Sequence, residues 1–221
     1  MQKFLRILII IFLFMMCLLI GAKLANVSLS AEDTVEVNSD TQNQNQNQIR
    51  LLVFVLDDLT QKNPRLNEVW SVIIYYQDAK GIMFIPLTNR NDVDFKDLNR
   101  NFVLTSEREP HQKTLKYFNT KYKTKWDANI VLDQFAVEYL IQWITQSSLD
   151  LNLLVGGPNS TLIENLCTSI GSQPLNSLET LDWPLIIPNH FKTNLPLDRM
   201  MDGWQKLSSG NPILCEMIAI D

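Results

Sequence analysis

The feature that most constrains the fold is an uninterrupted apolar run, Leu51–Leu56, which ends at two carboxylates, Asp57 and Asp58. Strands that are apolar on both faces lie in the middle of a sheet that helices cover on each side. In open α/β sheets, ligands bind beyond the carboxyl ends of such strands. The run therefore predicts a central strand with Asp57 at a ligand-binding edge.

Two more apolar runs follow a polar loop, and they predict a hairpin beside the first strand. The loop is Leu59–Glu68, and the runs are Val69–Tyr76 and Ile82–Pro86. β-Branched and aromatic residues fill both runs, as in strands. The Asp and Gly residues between them are typical of a tight turn.

The rest of the chain alternates between strand-like and helix-like patterns. Trp126–Leu132 predicts a strand, and Asp133 is placed to cap a helix over Gln134–Thr145. Another buried strand is predicted at Leu151–Val155. Further helices are predicted over His111–Tyr122, Thr161–Ile170 and Leu197–Leu207. The predicted fold class is α/β: a single domain, residues 49–221, with a mixed central β-sheet flanked by helices on both faces.

The N-terminal segment, residues 1–24, has the pattern of a membrane anchor. Ile7–Ala22 carries no charge, Lys3 and Arg6 precede it, and acidic residues follow it. This charge asymmetry predicts a cytoplasmic N-terminus and an extracytoplasmic domain. A cleaved signal peptide stays open as the alternative, because Ser28 and Ser30 form a possible cleavage site. Residues 25–48 are rich in Gln and Asn and predict a flexible linker.

The charge balance and the few cysteines exclude some classes of protein. A net charge of −5 argues against nonspecific binding to nucleic acid, which needs a basic surface. Cys167 and Cys215 either pair in an oxidising compartment or remain two buried apolar residues, and the second interpretation is favoured. His111 and His190 are isolated, and we interpret both as loop histidines rather than ligands or bases.

Several segments together resemble the LytR-CpsA-Psr family of cell-envelope proteins. The resemblance covers roughly residues 50–218 and rests on the apolar strand ending in Asp57, Arg65–Glu68 before the next strand, Phe84–Thr88, Val131–Phe135 and Met201–Leu207. It implies a membrane-anchored, extracytoplasmic α/β domain that transfers glycopolymers from a polyprenyl-pyrophosphate carrier to the cell wall. It also implies Mg²⁺ on the pyrophosphate.

The resemblance assigns a role to four residues of this chain. Asp57 would be a metal ligand, and Arg65 a catalytic contact to phosphate. Asn67 stands where the family has a second metal-binding Asp, and Arg90, near the Ile-Pro motif, is a further candidate for ligand binding. Asp58 is a candidate for a substitute carboxylate.

The chain lacks most of the arginines of the family. Leu87 stands where the family has Arg, and Ser208–Pro212 has no counterpart of its late Arg pair. Charge that develops on a leaving phosphate needs such cations or a metal. We therefore expect a catalytically impaired member that binds a polyisoprenoid-linked ligand at the membrane. An active phosphotransferase using Asp57, Asp58 and Arg65 and an unrelated secreted α/β domain are the alternatives.

Overall fold

The computed structural model describes residues 47–76, 80–88, 93–146, 160–172, 175–209 and 213–218. Six strands form one mixed sheet in these ranges. The strands are β1 (Gln48–Leu56), β2 (Leu66–Tyr75), β3 (Gly81–Pro86), β4 (Ala128–Asp133), β5 (Phe191–Thr193) and β6 (Leu214–Met217). The helices are α1 (Val93–Asn101), α2 (Gln112–Tyr122), α3 (Gln134–Thr145), α4 (Ser160–Ser172), α5 (Trp183–Ile186) and α6 (Leu197–Ser208), with a 3₁₀ turn at Leu178–Thr180.

The sheet order is β5-β4-β1-β2-β3-β6. The predicted hairpin is present, because β2 pairs antiparallel with both β1 and β3. β4 lies parallel to β1 on its other side, and β6 lies parallel to β3. The predicted mixed sheet, with the first apolar run as a central strand, is therefore confirmed.

Helices cover both faces of the sheet, which explains why β1 is apolar along its whole length. Its alternate side chains belong to two separate cores, because successive residues of a strand point to opposite faces. Leu51 and Val55 pack with apolar residues of α3, α4 and α6. Leu52, Phe54 and Leu56 pack with Phe95 of α1 and Phe118 of α2. The ring of Phe54 meets that of Phe118 edge to face, with centroids 5.7 Å apart.

The structure confirms the predicted helix after β4 and corrects the prediction for the cysteines. Asp133 caps α3 as predicted, since its side chain accepts a hydrogen bond from the N–H of Ala136. The helix Gln134–Thr145 has the predicted bounds. The predicted strand Leu151–Val155 lies outside the described residues. Cys167 and Cys215 form a disulfide that joins α4 to β6, so their interpretation as unpaired residues is wrong.

The predicted anchor, residues 1–24, and almost all of the linker lie outside the described residues. Among the helices of the described ranges, none combines the length and the apolar character needed to cross a bilayer. The anchor and the position of the domain outside the membrane therefore stay predictions.

Gly203 allows α6 to pack closely against the sheet. A Cβ atom at this position would lie 2.4 Å from the hydroxyl oxygen of Tyr76 and 3.5 Å from a methyl carbon of Ile49. Tyr76 is half-buried, and desolvation by burial, together with the charges of Asp202 and Asp127, raises the pKa of its hydroxyl to about 12. A side chain at this position would therefore force Tyr76 or α6 to shift.

We expect Gly203→Ala to destabilise the protein by about 1 kcal/mol, because the cost of overpacking exceeds the helix propensity that alanine adds. Gly171→Ala in α4 is the matched control. Its Cβ would meet only the carbonyl oxygen of Ile213, at an ordinary 3.7 Å. We expect this second change to stabilise by about 0.5 kcal/mol. Urea denaturation measures both, and equal signs for the two variants would contradict the packing argument.

Candidate functional site

The loop between β1 and β2, residues 57–65, lies at the carboxyl end of β1, where the sequence places a ligand site. Asp57 closes this loop. Its Oδ1 accepts hydrogen bonds from the backbone N–H groups of Asp58, at 2.8 Å, and Arg65, at 2.7 Å. The N–H of Asp57 in turn donates to the carbonyl oxygen of Arg65 at 3.0 Å. The two ends of the loop are therefore held together by one carboxylate and one pair of backbone groups.

Asp58 forms a turn with the residues that follow it. Its Oδ1 accepts from the N–H of Thr60 at 2.9 Å and from the hydroxyl of Thr60 at 2.6 Å, and its Oδ2 accepts from Gln61 at 3.2 Å. The hydrogen bonds from Thr60 are the main reason that the pKa of Asp58 is lowered, and the charge of His190 adds to the effect. Asp58 is thus held in its ionised form.

The structure brings some of the predicted site residues together. Arg65 meets Asp57 through its backbone, while the residue itself is exposed. Asn67 is the extra residue of a β-bulge in β2, because Val55 pairs with Glu68 and Leu56 pairs with Leu66. Bulges of this kind re-aim side chains next to functional sites. Arg90 lies outside the described residues.

Arg108 is a second cation at this loop, and the sequence analysis missed it. Its guanidinium donates to the carbonyl oxygens of Gln61 and Thr60. Its backbone has a positive φ of 65° in the turn between Leu104 and Pro110. The contact joins residues 47 positions apart, so no local pattern in the sequence could have indicated it.

Asp133 connects this loop to the end of the neighbouring strand. It lies opposite Leu56, since β4 runs parallel to β1, and its side chain is 2% exposed. Its Oδ1 accepts from the N–H of Ala136 at 3.0 Å, and its Oδ2 accepts from the N–H of Leu59 at 3.1 Å. The same Oδ2 lies 2.7 Å from Nδ1 of His190. One buried carboxylate therefore binds three separate segments.

His190 lies in a turn, as the sequence suggested, but it is not isolated. Besides its Nδ1 contact with Asp133, its carbonyl oxygen accepts from the N–H of Asp133 at 3.1 Å. A carboxylate only accepts hydrogen bonds, so Nδ1 is assigned as the donor, and Nε2 is the remaining polar atom of the ring. The ring of Phe135 packs against the imidazole with centroids 4.5 Å apart.

The donor atoms at the loop do not fit a resident Mg²⁺ ion. In the described ranges, no three His, Cys, Asp or Glu side chains are grouped to hold a metal. One oxygen of Asp57 already accepts two backbone hydrogen bonds, and Asn67 offers a neutral amide instead of a second carboxylate. Mg²⁺ prefers carboxylate or phosphate oxygens in octahedral order.

The fold has similar solved structures, although no family model and no curated protein matches the chain significantly. One is TagT bound to LIIa-WTA, at 12% identity over 79% of each chain with a TM-score of 0.47. Another is TagV of B. subtilis, at 8% identity over 80% of this chain and 86% of that chain, with a TM-score of 0.44. A transcriptional regulator from Enterococcus faecalis matches at 13% identity over 78% and 76%, with a TM-score of 0.46. All three are distant similarities.

Proposed function

We propose that the chain is a cell-envelope binding module, held at the outer face of the membrane by its N-terminal segment. It binds a polyisoprenoid-linked ligand at the loop of residues 57–65 and transfers glycan poorly or not at all. The observation that carries this proposal is the role of Asp57. Its carboxylate oxygen closes the loop through the N–H groups of Asp58 and Arg65, so it serves the conformation of the loop.

The cations at the loop support binding more than transfer. Transfer from a pyrophosphate needs several cations or a metal aimed at the leaving phosphate, and removing one such contact costs a factor of about 10²–10³ in rate. The guanidinium of Arg108 is engaged by two loop carbonyls. The exposed Arg65 can still attract an anionic headgroup, but an exposed charge of this kind contributes only about 1 kcal/mol or less.

The disulfide between Cys167 and Cys215 supports the proposed location. Disulfides form and persist in oxidising compartments and are rare in the cytosol. An extracytoplasmic domain behind an N-terminal anchor agrees with that chemistry.

An active phosphotransferase is the second candidate, and one observation favours it. Asp58 is ionised and lies directly after Asp57, so the loop presents two carboxylates and Arg65 within nine residues. In this alternative, the ligand's own pyrophosphate would have to bring the metal with it.

Farnesyl pyrophosphate is a soluble probe that separates the two candidates. We expect the full-length protein in detergent to bind it equally well in Mg²⁺ and in EDTA, and to release no phosphate. Asp57→Asn removes the charge but leaves an amide oxygen that can accept the same two backbone hydrogen bonds. We therefore expect this variant to bind the probe with unchanged affinity, as measured by calorimetry.

Asp127→Asn is the matched control, since Asp127 is exposed and also accepts a backbone hydrogen bond, from Arg50 at 2.7 Å. Metal-dependent turnover that falls by about 10² or more in Asp57→Asn, and not in the control, would contradict the binding module and support the active phosphotransferase. Failure to bind the probe at all would contradict both.

A further inference from the structure

We infer that the exposed side chains of residues 113–125, on α2 and the turn after it, bind the anionic headgroups of a phospholipid bilayer. We refer to these side chains as the lysine surface. The proposed function assigns no surface of the domain to the bilayer, so the inference goes beyond it and shares with it only the N-terminal anchor. Three observations carry it: the charge of this segment, the place where the chain enters the domain, and an exposed tyrosine.

The lysine surface is strongly basic in a chain that is acidic overall. Residues 112–126 contain five lysines and no carboxylate, whereas the whole chain has a net charge of −5. All five lysines are exposed, and Lys121 forms an ion pair with Asp94 at 3.2 Å. The other four form no ion pair with any described residue; they are Lys113, Lys116, Lys123 and Lys125. A lysine near an anionic bilayer contributes about a factor of five to the attraction, so four unpaired lysines favour such a surface.

The geometry of α2 turns these charges away from the core. Thr114 and Phe118 are the buried residues of this helix and lie four positions apart, on one face. Lys113 and Lys116 lie on the opposite side, where side chains are exposed. The outward side of α2 is therefore free to lie flat on a surface, while its inward side packs on the sheet.

The chain enters the domain beside the other end of the lysine surface. The N–H of Arg50, near the start of β1, donates to Oδ2 of Asp127 at 2.7 Å, and the N–H of Asp127 donates to the carbonyl oxygen of Arg50 at 2.8 Å. Lys123 and Lys125 directly precede Asp127 along the chain. The predicted linker, residues 25–48, thus ends next to these lysines.

This entry point favours a bilayer over a soluble polyanion. A flexible linker of this length spans about 30 Å on average, so an anchored domain keeps its lysine surface within reach of the bilayer. Tethering of this kind raises the effective concentration of the second contact. A free polyanion has no such advantage, and the negative net charge of the protein repels it during approach.

Tyr117 adds an aromatic group of the kind that is enriched at membrane interfaces. It is 37% exposed, and its ring packs edge to face on Phe118 with centroids 5.2 Å apart. Nζ of Lys121 donates to its hydroxyl oxygen at 3.1 Å. Tyrosine suits the headgroup layer because it combines an apolar ring with a polar tip. The lysine surface therefore combines cations with a fixed interfacial ring.

Lysine footprinting of the full-length protein in lipid nanodiscs tests the inference. A water-soluble acylating reagent modifies exposed lysines, and mass spectrometry gives the rate at each one. Discs that contain phosphatidylglycerol should slow the acylation of the four unpaired lysines about 5-fold or more, relative to discs of phosphatidylcholine alone. About 1 M salt, which shortens the screening length to about 3 Å, should abolish this protection. Lys206, on α6 at the other face of the sheet, is the internal control and should not respond.

Charge reversal identifies the residues that make the contact. Lys116→Glu replaces an attraction with a repulsion, so the protection of the remaining lysines should fall about 5-fold or more. Lys206→Glu changes the net charge by the same amount on the other face of the sheet and is the matched control. Both positions are exposed on helices, so we expect both variants to fold and only the first to lose protection.

Protection that is equal in neutral and anionic discs, or equal in the two variants, would overturn the inference. Stronger protection by polyphosphate added to neutral discs than by anionic discs would also overturn it, because the surface would then belong to a soluble polyanion. Farnesyl pyrophosphate binding is measured separately in detergent, so its loss contradicts the proposed function alone. If the protein does not stay in neutral discs, the anchor is wrong, and flotation of the free protein with anionic vesicles still decides this inference.

Discussion

Replacing Cys167 and Cys215 together by alanine is expected to lower the free energy of unfolding by about 4 kcal/mol. The bond joins residues that lie 48 positions apart, so it removes a large loop-closure entropy from the unfolded chain. Stabilities of small domains are only about 5–15 kcal/mol in total. The variant should therefore unfold at a clearly lower urea concentration than the parent protein.

The loss of stability in this variant should begin at one edge of the sheet. Among the strands that the structure describes, β6 lies at the edge of the sheet and pairs with β3, and the disulfide connects it to α4. The backbone of β6 also approaches β3 closely, since a Cβ atom at Gly81 would lie 2.9 Å from the carbonyl oxygen of Leu214. Amide hydrogen exchange of β6 should therefore accelerate more than that of β1, which is paired on both sides.

Reductant supplies the control for this experiment. It should shift the unfolding midpoint of the parent protein towards that of the double variant and leave the double variant unchanged. A variant with the parent's midpoint would show that the crosslink adds nothing to stability. Protein isolated under alkylating conditions shows whether the two thiols are free. Free thiols would contradict the argument that the domain lies in an oxidising compartment.

The sequence was sufficient to predict the centre of the fold, because that part depends on local patterns. The run Leu51–Leu56 is apolar throughout since both of its faces are covered. The next two apolar runs form the hairpin, and their buried side chains also belong to the cores on the two faces of the sheet. Asp133 at the start of α3 is a capping residue that is visible from its position alone. Edge strand β5, with three residues, has too few positions to show a period, and it was not predicted.

The candidate site was predicted less completely, since it depends on contacts between distant parts of the chain. The sequence placed Asp57 at the strand end, but not the closing of the loop through the backbone of Arg65. The contact between Arg108 and the loop spans 47 positions, and that between His190 and Asp133 spans 57. Periodicity and spacing carry no information about such pairs, so an isolated histidine was interpreted as an ordinary loop residue.

Asp133→Asn is expected to destabilise the protein by about 3 kcal/mol, the largest effect that a single isosteric change should produce at this edge. The amide keeps one acceptor, which can continue to cap α3 through the N–H of Ala136. Its NH₂ group then occupies the place of Oδ2 and faces the N–H of Leu59, so a buried donor loses its acceptor. The contact with Nδ1 of His190 also loses its charge.

The same change should reach the loop that carries Asp57. Leu59 is itself 1% exposed, and its N–H is the point at which Asp133 fixes the loop. Releasing it should increase hydrogen exchange at Leu59 and Thr60 and weaken farnesyl pyrophosphate binding along with stability. Asp127→Asn, at an exposed carboxylate that also accepts a backbone N–H, should cost about 0.5 kcal/mol or less. Equal losses in the two variants, measured by urea denaturation, would mean that the buried carboxylate does not organise this edge of the sheet.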